Sequence, residues 1–117
     1  MIGPGTHMMV DAFTRMRFTA SYLESYLRDV VELVGMQVVM GPFVEGRGRV
    51  WDGWVVLAES HAAIHVHGDM CHMDLFSCQW FDVEAPIVFI RQRLKLLHMK
   101  IAVRERPMPE AINDRQT

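Results

Sequence analysis

The chain has 117 residues, the length of a single domain, and half of its residues are apolar. Its 14 acidic and 12 basic residues give a net charge of −2, which argues against nucleic acid or an anionic membrane as a partner. No apolar run approaches the roughly 18 residues of a membrane span, and no signal peptide precedes the first predicted strand. We therefore expect one cytoplasmic domain over residues 1–106, followed by a polar tail over residues 107–117.

The first half of the chain predicts a strand, a helix and two further strands. Residues 5–13 form the first strand. A helix opens at Thr19-Ala20 and stops at Gly35, because apolar residues recur at steps of three and four between them. A second strand covers residues 36–43, a flexible connection covers 45–49, and a third strand covers 50–58.

The second half predicts a hairpin, a helix and a last strand. The hairpin strands are residues 63–67 and 70–78, turning at His67-Gly68-Asp69. An amphipathic helix spans residues 85–98 and a strand spans 99–104. The order βαββββαβ predicts an α+β fold, a two-layer sandwich with both helices on one face of a mainly antiparallel sheet.

Strand alternation assigns the hairpin side chains to two faces. A turn centred between residues 68 and 69 places His65 opposite His72, and Cys78 opposite Glu59-Ser60. The polar side chains then share one face: His65, His67, His72, Asp74, Phe76 and Cys78. Their apolar neighbours face the helices: Ile64, Val66, Met73 and Leu75. The polar face stays open unless another sheet covers it, so we expect a homodimer joined sheet to sheet.

The two cysteines, Cys71 and Cys78, are seven residues apart in one strand. Odd spacing places them on opposite faces, so a disulfide between them is not expected. Free thiols agree with a cytoplasmic location.

One group of residues carries a specific chemical signal. It consists of an apolar run, a tripeptide, a histidine and a cysteine: Trp54–Leu57, Glu59-Ser60-His61, His65, and Cys78 at the end of Asp-Leu-Phe-Ser-Cys. In this combination the sequence resembles the prokaryotic S-adenosylmethionine decarboxylases, from Gly5-Thr6-His7 to about Arg106.

The resemblance implies self-cleavage between Glu59 and Ser60 into residues 1–59 and 60–117. The Ser60 hydroxyl would attack the Glu59 carbonyl, and elimination and hydrolysis would leave a covalent pyruvoyl cofactor at residue 60. His65 matches the family's processing histidine. Cys78 matches the proton donor that acts after the Schiff-base-bound substrate loses carbon dioxide. The resemblance also implies a sheet-to-sheet homodimer, with decarboxylated adenosylmethionine as the product used for spermidine synthesis.

Three departures from the family pattern bear on the substrate. Val44-Glu45-Gly46 stands where the family has an aromatic that supports the adenine. Val66-His67-Gly68-Asp69 replaces a longer segment with a ribose-binding acid, so Asp69 is at best a displaced substitute. Asp52 replaces a serine that assists processing. Adenosylmethionine remains the first expectation, with ornithine or arginine as the alternative.

Acidic side chains would suit a cationic amino acid substrate. The acidic candidates are Glu45, Asp52, Asp69 and Asp74. Trp51 and Trp54 are candidates for the missing stacking surface, although we expect Trp54 in the core.

A metal site is the competing interpretation. The chain offers ligands for zinc or iron within twelve residues: His61, His65, His67, Cys71 and His72. Their spacing follows no familiar metal motif, and a metal site leaves Ser60 and Cys78 unexplained. We therefore expect no metal, with a metal-binding or inactive domain as the weakest alternative.

Overall fold

The computed structural model describes residues 5–106, which form six strands and two helices. Their bounds are β1 Gly5–Phe13, α1 Ala20–Leu33, β2 Val38–Arg47, β3 Val50–Leu57, β4 Ser60–His67, β5 Met70–Ser77, α2 Glu84–Arg93 and β6 Leu97–Arg106. The predicted element order is confirmed. The predicted polar tail lies outside the described residues.

All six strands belong to one antiparallel sheet in the order β2-β3-β4-β5-β1-β6. The segment from β2 to β5 is a meander of hairpins, and β1 lies between β5 and the last strand. The α+β fold predicted from the element order is therefore confirmed.

Both helices pack on the same face of this sheet. Thr19 caps α1 by accepting a hydrogen bond from the Tyr22 N–H, and Gly35 ends it with a φ of +74°. The Tyr22 hydroxyl donates to the Arg93 carbonyl at 2.6 Å, and Arg93 pairs with Asp29 at 2.8 Å, so α1 holds the end of α2. The hydrophobic core lies between the helices and the sheet.

The inward residues of the β4–β5 hairpin are the ones that alternation predicts. Ile64, Val66, Met73 and Leu75 are all buried in the core beneath the helices. The opposite face, which we call the open face, carries His65, His67, His72, Asp74 and Phe76 of the predicted polar series together with exposed apolar side chains. Cys78, the last member of that series, follows the end of β5 at Ser77. The hairpin register is also as predicted, since His65 pairs with His72.

The predicted flexible connection over 45–49 is wrong. Residues 45–47 continue β2 and pair with residues 50–52 of β3, so only Gly48-Arg49 forms the turn. Glycine suits position 46 in this strand because the Trp51 indole lies against its backbone, where a Cβ would collide with the ring. An aromatic ring over a strand glycine stabilises the pairing of β2 with β3. The polar composition of residues 45–49 does not indicate this pairing.

Three other predicted boundaries are corrected. β4 begins at Ser60 rather than 63, because Ser60 pairs with Leu57 across a two-residue turn. The second helix ends at Arg93 rather than His98, and β6 begins at Leu97 rather than 99. Leu94 remains buried, so the apolar period runs past the helix end, but Leu97 already pairs with Phe13 of β1.

Trp54 is not a core residue, which corrects the prediction for it. It lies on the open face and is 40% exposed, with its ring 5.6 Å from that of Phe43. Trp51 is the tryptophan that packs against the core. The alternation with buried Val55 and Leu57 decides this assignment.

Neither helix in residues 5–106 is long and apolar enough to cross a membrane. Both cysteines are free, as predicted, with Cys71 buried in the core and Cys78 partly exposed.

Candidate active site

The predicted cleavage bond lies in the turn between β3 and β4. Ala58 and Glu59 are the two turn residues, both exposed, and Glu59 has a φ of +56°. The left-handed region costs a residue with a side chain roughly 1–2 kcal/mol relative to ordinary backbone conformations. Pairing of Leu57 with Ser60 holds the turn in place. The Glu59–Ser60 bond is therefore held in a strained, accessible turn.

Ser60 is the first residue of β4, and its side chain is on the helix side of the sheet. It is 7% exposed, and its Oγ accepts a hydrogen bond of 3.0 Å from the Cys78 N–H. The Cys78 Sγ lies 4.0 Å from the Ala58 carbonyl oxygen. The end of β5 thus brings Cys78 against the turn, as the predicted hairpin register requires.

His65 is not near Ser60 within one chain. Five residues of extended strand separate them by roughly 16 Å, and their side chains are on opposite faces. The His65 Nδ1 lies 2.7 Å from the Asp52 Oδ1 on β3. Because a carboxylate only accepts hydrogen bonds, this contact places a proton on Nδ1 and turns Nε2 into the free acceptor of the neutral ring.

A row of ionisable residues crosses the open face at the level of His65. Successive strand pairings align one such residue from each of the six strands: Glu45, Asp52, His65, His72, Asp11 and Lys100. His72 repeats the arrangement of His65, since its Nδ1 lies 2.6 Å from the Asp11 Oδ1. Two histidine–aspartate pairs therefore stand side by side on neighbouring strands.

A second histidine pair lies on the open face at the Ser60 end of the sheet. The His7 Nε2 contacts the Asp74 Oδ1 at 2.8 Å, and the His7 and His61 ring centroids are 6.3 Å apart. Burial lowers the pKa of His61, and the neighbouring His7 lowers it further, while Asp74 opposes them. His61 therefore favours its neutral form.

The predicted substrate-binding residues fall into two separate places. Asp69, in the β4–β5 turn, forms ion pairs with Arg49 and Arg17, at the opposite end of β4 from Ser60. Glu45 and Asp52 pair across β2 and β3 and line a surface pocket of about 470 Å³. Asp69 and these two residues do not converge on Ser60 within one chain.

A pocket adjoins the turn itself. Its volume is about 300 Å³, and it is bounded by the end of α1, the Glu59 turn and the segment after β5. Glu59, Cys78 and Trp80 are among its lining residues. Ligand pockets in proteins have volumes of about 300–1,000 Å³, so this pocket lies at the lower end of the range and has room for a small amino acid derivative.

The residues proposed for a metal site do not come together. Within residues 5–106 no three His, Cys, Asp or Glu side chains form a group that holds a metal ion. Cys71 faces the core, and burial raises its pKa to about 11. His65, His67 and His72 belong to the open face.

Two features of the site were missed by the sequence analysis. The contact between Asp52 and His65 depends on the register of β3 against β4, which the sequence predicts once the two-residue Ala58-Glu59 turn is recognised. The buried hydroxyls of Thr6 and Ser77 lie near Ser60 because β1 inserts beside β5, and no local signal indicates that insertion.

Comparison with known proteins agrees with this fold. The fold is similar to the crystal structure of the adenosylmethionine decarboxylase from Aquifex aeolicus VF5, with a TM-score of 0.71, 19% identity, and coverage of 96% of this chain and 98% of that chain. The family model for S-adenosylmethionine decarboxylase matches residues 6–107. The chain therefore belongs to the S-adenosylmethionine decarboxylase family, which consists of pyruvoyl-dependent carboxy-lyases. No match was found among curated proteins.

Proposed function

We propose that this protein is an S-adenosylmethionine decarboxylase that activates itself by cleaving the Glu59–Ser60 bond and supplies decarboxylated adenosylmethionine for spermidine synthesis. The observation that carries the proposal is the turn. Glu59 has a left-handed backbone, and Ser60, the residue after it, is held by the N–H of Cys78. A cytoplasmic location stays a prediction from the sequence.

The processing steps use this chain's own atoms. The Ser60 Oγ bonds to the Glu59 carbonyl carbon while the Glu59–Ser60 amide bond breaks, so the Oγ proton ends on the Ser60 nitrogen. Loss of the Ser60 α-proton then expels the Glu59 carboxylate and leaves a double bond at residue 60. Hydrolysis releases ammonia and leaves a ketone. Strain at Glu59 lowers the barrier to the first step, because the acyl transfer relieves it.

The residues around position 60 fit a group formed there. In the uncleaved chain the Cys78 N–H donates to the Ser60 Oγ at 3.0 Å, and the Cys78 thiol lies at the same turn. The pyruvoyl ketone supplies an electron-withdrawing centre for an α-amino acid that loses carbon dioxide. The position of Cys78 at this turn supports a role in returning a proton to the substrate, and the adjoining pocket of about 300 Å³ supports substrate binding there.

The separation of Ser60 and His65 supports a shared active site in a homodimer. If two open faces pack against each other, His65 of one protomer can approach the turn of its partner. The open face carries exposed apolar side chains that such a dimer would bury: Met40, Phe43, Val50, Trp54, Val56 and Met70. Exposed apolar surface of this extent is typical of an interaction surface.

A second candidate substrate is ornithine or arginine. The paired carboxylates Glu45 and Asp52 favour it, since they line the larger pocket and would attract a distal ammonium or guanidinium. Gly46 offers no ring for an adenine, and the Trp51 ring that covers it is occupied in packing. Adenosylmethionine remains first because residues 6–107 match that family.

Intact mass under denaturing conditions tests the cleavage, and carbon dioxide release tests the substrate. We expect two fragments, residues 1–59 and a remainder whose mass fits a pyruvoyl terminus, and release from adenosylmethionine. Ser60→Ala is the matched control and should stay uncleaved, folded and inactive. A single uncleaved mass after long incubation would refute the self-processing enzyme. Two fragments with release only from ornithine or arginine would move the proposal to the second substrate.

A further inference from the structure

The three tryptophans of the chain lie in three different settings. Trp51 packs against the core and covers Gly46. Trp54 lies on the open face, with its ring 5.6 Å from that of Phe43. Trp80 follows β5 and lines the pocket of about 300 Å³ beside the β3–β4 turn. Trp80 is therefore the tryptophan that can meet a ligand at this turn.

The Trp80 indole is exposed, although the chain on both sides of it is anchored. It is 68% exposed, and within residues 5–106 no other aromatic ring and no cation covers it. On one side, the Gln79 N–H donates to the Ser77 Oγ at 3.0 Å. On the other side, Phe81 is buried. The backbone thus holds a large flat ring at the pocket with its surface free for stacking.

The other walls of the pocket suit a purine. The side chains of Gln37 and Gln79 line it, and within residues 5–106 neither amide group has a hydrogen-bond partner. A glutamine amide both donates and accepts, in the pattern that the edge of adenine requires. Val34 and Met36, at the end of α1, add an apolar wall. The pocket therefore offers apolar surface together with a few polar groups, as ligand sites do.

We propose that this pocket holds the adenine end of the substrate and that Trp80 is the ring on which the adenine stacks. The inference rests on the proposed function, since it assigns one end of adenosylmethionine to the pocket. Cys78 lines the same pocket, and its N–H contacts the Ser60 Oγ. Trp80 is two residues further along, at most roughly 7 Å of chain. One substrate molecule can therefore touch the indole with its adenine while its amino group reaches residue 60.

A stacking ring at this position distinguishes between the candidate substrates. Adenine has a flat face that stacks on an indole, and ornithine has none. The guanidinium of arginine is also planar and stacks on aromatic rings. Arginine is therefore the competing ligand in the test.

Binding of methylthioadenosine to the uncleaved Ser60→Ala protein tests the pocket without requiring cleavage, because the pocket is already formed in the uncleaved chain. This ligand carries the adenosine part of the substrate and lacks the amino acid part. Isothermal titration calorimetry measures the affinity. We expect Trp80→Leu, which keeps an apolar side chain without a ring, to weaken binding about tenfold, and Trp80→Phe to retain most of the affinity. Trp54→Leu removes the exposed indole of the open face and is the matched control, which should leave the affinity unchanged.

A second measurement uses the cleaved enzyme. Trp80→Leu should raise the KM for adenosylmethionine about tenfold and change kcat less than about twofold, because stacking on a remote group stabilises substrate and transition state alike. It should leave the rate of self-cleavage unchanged, which a general structural defect would not. Trp80→Ala replaces Trp80→Leu in both experiments if the leucine protein does not fold.

The outcomes separate this inference from the proposed function. Unchanged affinity and unchanged KM in Trp80→Leu overturn the stacking role and leave the enzyme standing. Binding of arginine that depends on Trp80, without binding of methylthioadenosine, overturns the assignment of the pocket to adenine. A parent chain that binds methylthioadenosine through Trp80 but never cleaves overturns the proposed function and leaves the adenine pocket standing.

Discussion

The two faces of strand β4 carry different kinds of chemistry. On the helix face, Ser60 lies in a buried setting of hydroxyls and apolar side chains. On the open face, His65 lies in a row of carboxylates and imidazoles. The fold therefore separates the serine of the proposed cleavage site from the histidine predicted to assist cleavage, although the two are only five positions apart in the sequence.

This difference shows what spacing along a strand implies. A five-residue step reverses the face, because strand side chains alternate with a period of two. Two residues five positions apart on one strand therefore lie on opposite faces. They can take part in one reaction only if the second residue is supplied by another chain. The positions of Ser60 and His65 on opposite faces of β4 therefore favour a site shared between two chains.

Mixing two inactive variants tests most directly whether Ser60 and His65 of different chains act together. His65→Ala lacks the proposed processing histidine, and Ser60→Ala lacks the cleavable serine, so neither should cleave alone. Co-expressed, they form mixed dimers in which the Ser60 of one chain meets the His65 of the other. We expect the His65→Ala chain alone to be cleaved, at up to about half of its molecules if pairing is random.

Intact mass distinguishes the chains in this experiment, because the two substitutions differ in mass. The control is co-expression of two His65→Ala chains that carry affinity tags of different length, and neither chain should be cleaved. Absence of any cleaved chain in the mixed sample would contradict a site shared between protomers.

Substitutions in the two faces should affect stability differently. Ile64 is fully buried, so Ile64→Ala should lower the free energy of unfolding by about 2–5 kcal/mol at any protein concentration. Val56 is exposed on the open face, so Val56→Asp should act through the dimer. Its melting temperature should depend less on protein concentration than that of the parent. Thermal unfolding over a hundredfold concentration range measures both, and equal concentration dependence would argue against a dimer through the open face.

Much of the fold follows from the sequence because it depends on local patterns. Alternation in the β4–β5 hairpin and the three-to-four periodicity of α1 predicted both elements and the buried face. The pairing of residues 45–47 with 50–52 could not be predicted from composition, since Glu, Gly and Arg are typical of loops. That pairing comes from a tight turn at Gly48 and from the Trp51 ring over Gly46.

The site follows from the sequence only in part, because some of its contacts are local and others depend on pairing between strands. Cys78 meets Ser60 because a hairpin register fixes it. The contact of Asp52 with His65 depends on the Ala58-Glu59 turn, which the predicted start of β4 at residue 63 missed, and the pairing of Thr6 with Ser77 depends on the insertion of β1 beside β5. Asp52, predicted as a substrate-binding candidate, contacts His65 in this structure.

Asp52 and Asp11 provide a matched pair of substitutions on the open face. Each accepts a hydrogen bond from the Nδ1 of a histidine, but only Asp52 contacts the predicted processing histidine. Asp52→Asn should slow cleavage about tenfold, in the range found for groups that orient a functional histidine. Asp11→Asn, which acts on His72, should leave the rate unchanged.

The time course of intact mass gives both rates. Imidazole ¹⁵N shifts in the Ser60→Ala background report the tautomer, and Asp52→Asn should remove the preference of His65 for a proton on Nδ1. Equal slowing by both substitutions would show a general effect of the open-face charges and not an orienting role.

The smallest expected effect concerns His61, the histidine next to the proposed cleavage site. Its pKa is lowered in the folded protein, first by burial and then by His7. Below its ordinary value of about 6.5 the unfolded chain therefore binds more protons than the folded one, so this residue makes stability fall as pH decreases. His61→Asn should reduce the loss of melting temperature between pH 7.5 and 5.5 by no more than a few degrees. His67→Asn, on the same face of the same strand, is the control. A larger effect from His67 would mean that the low pKa of His61 does not govern this part of the acid response.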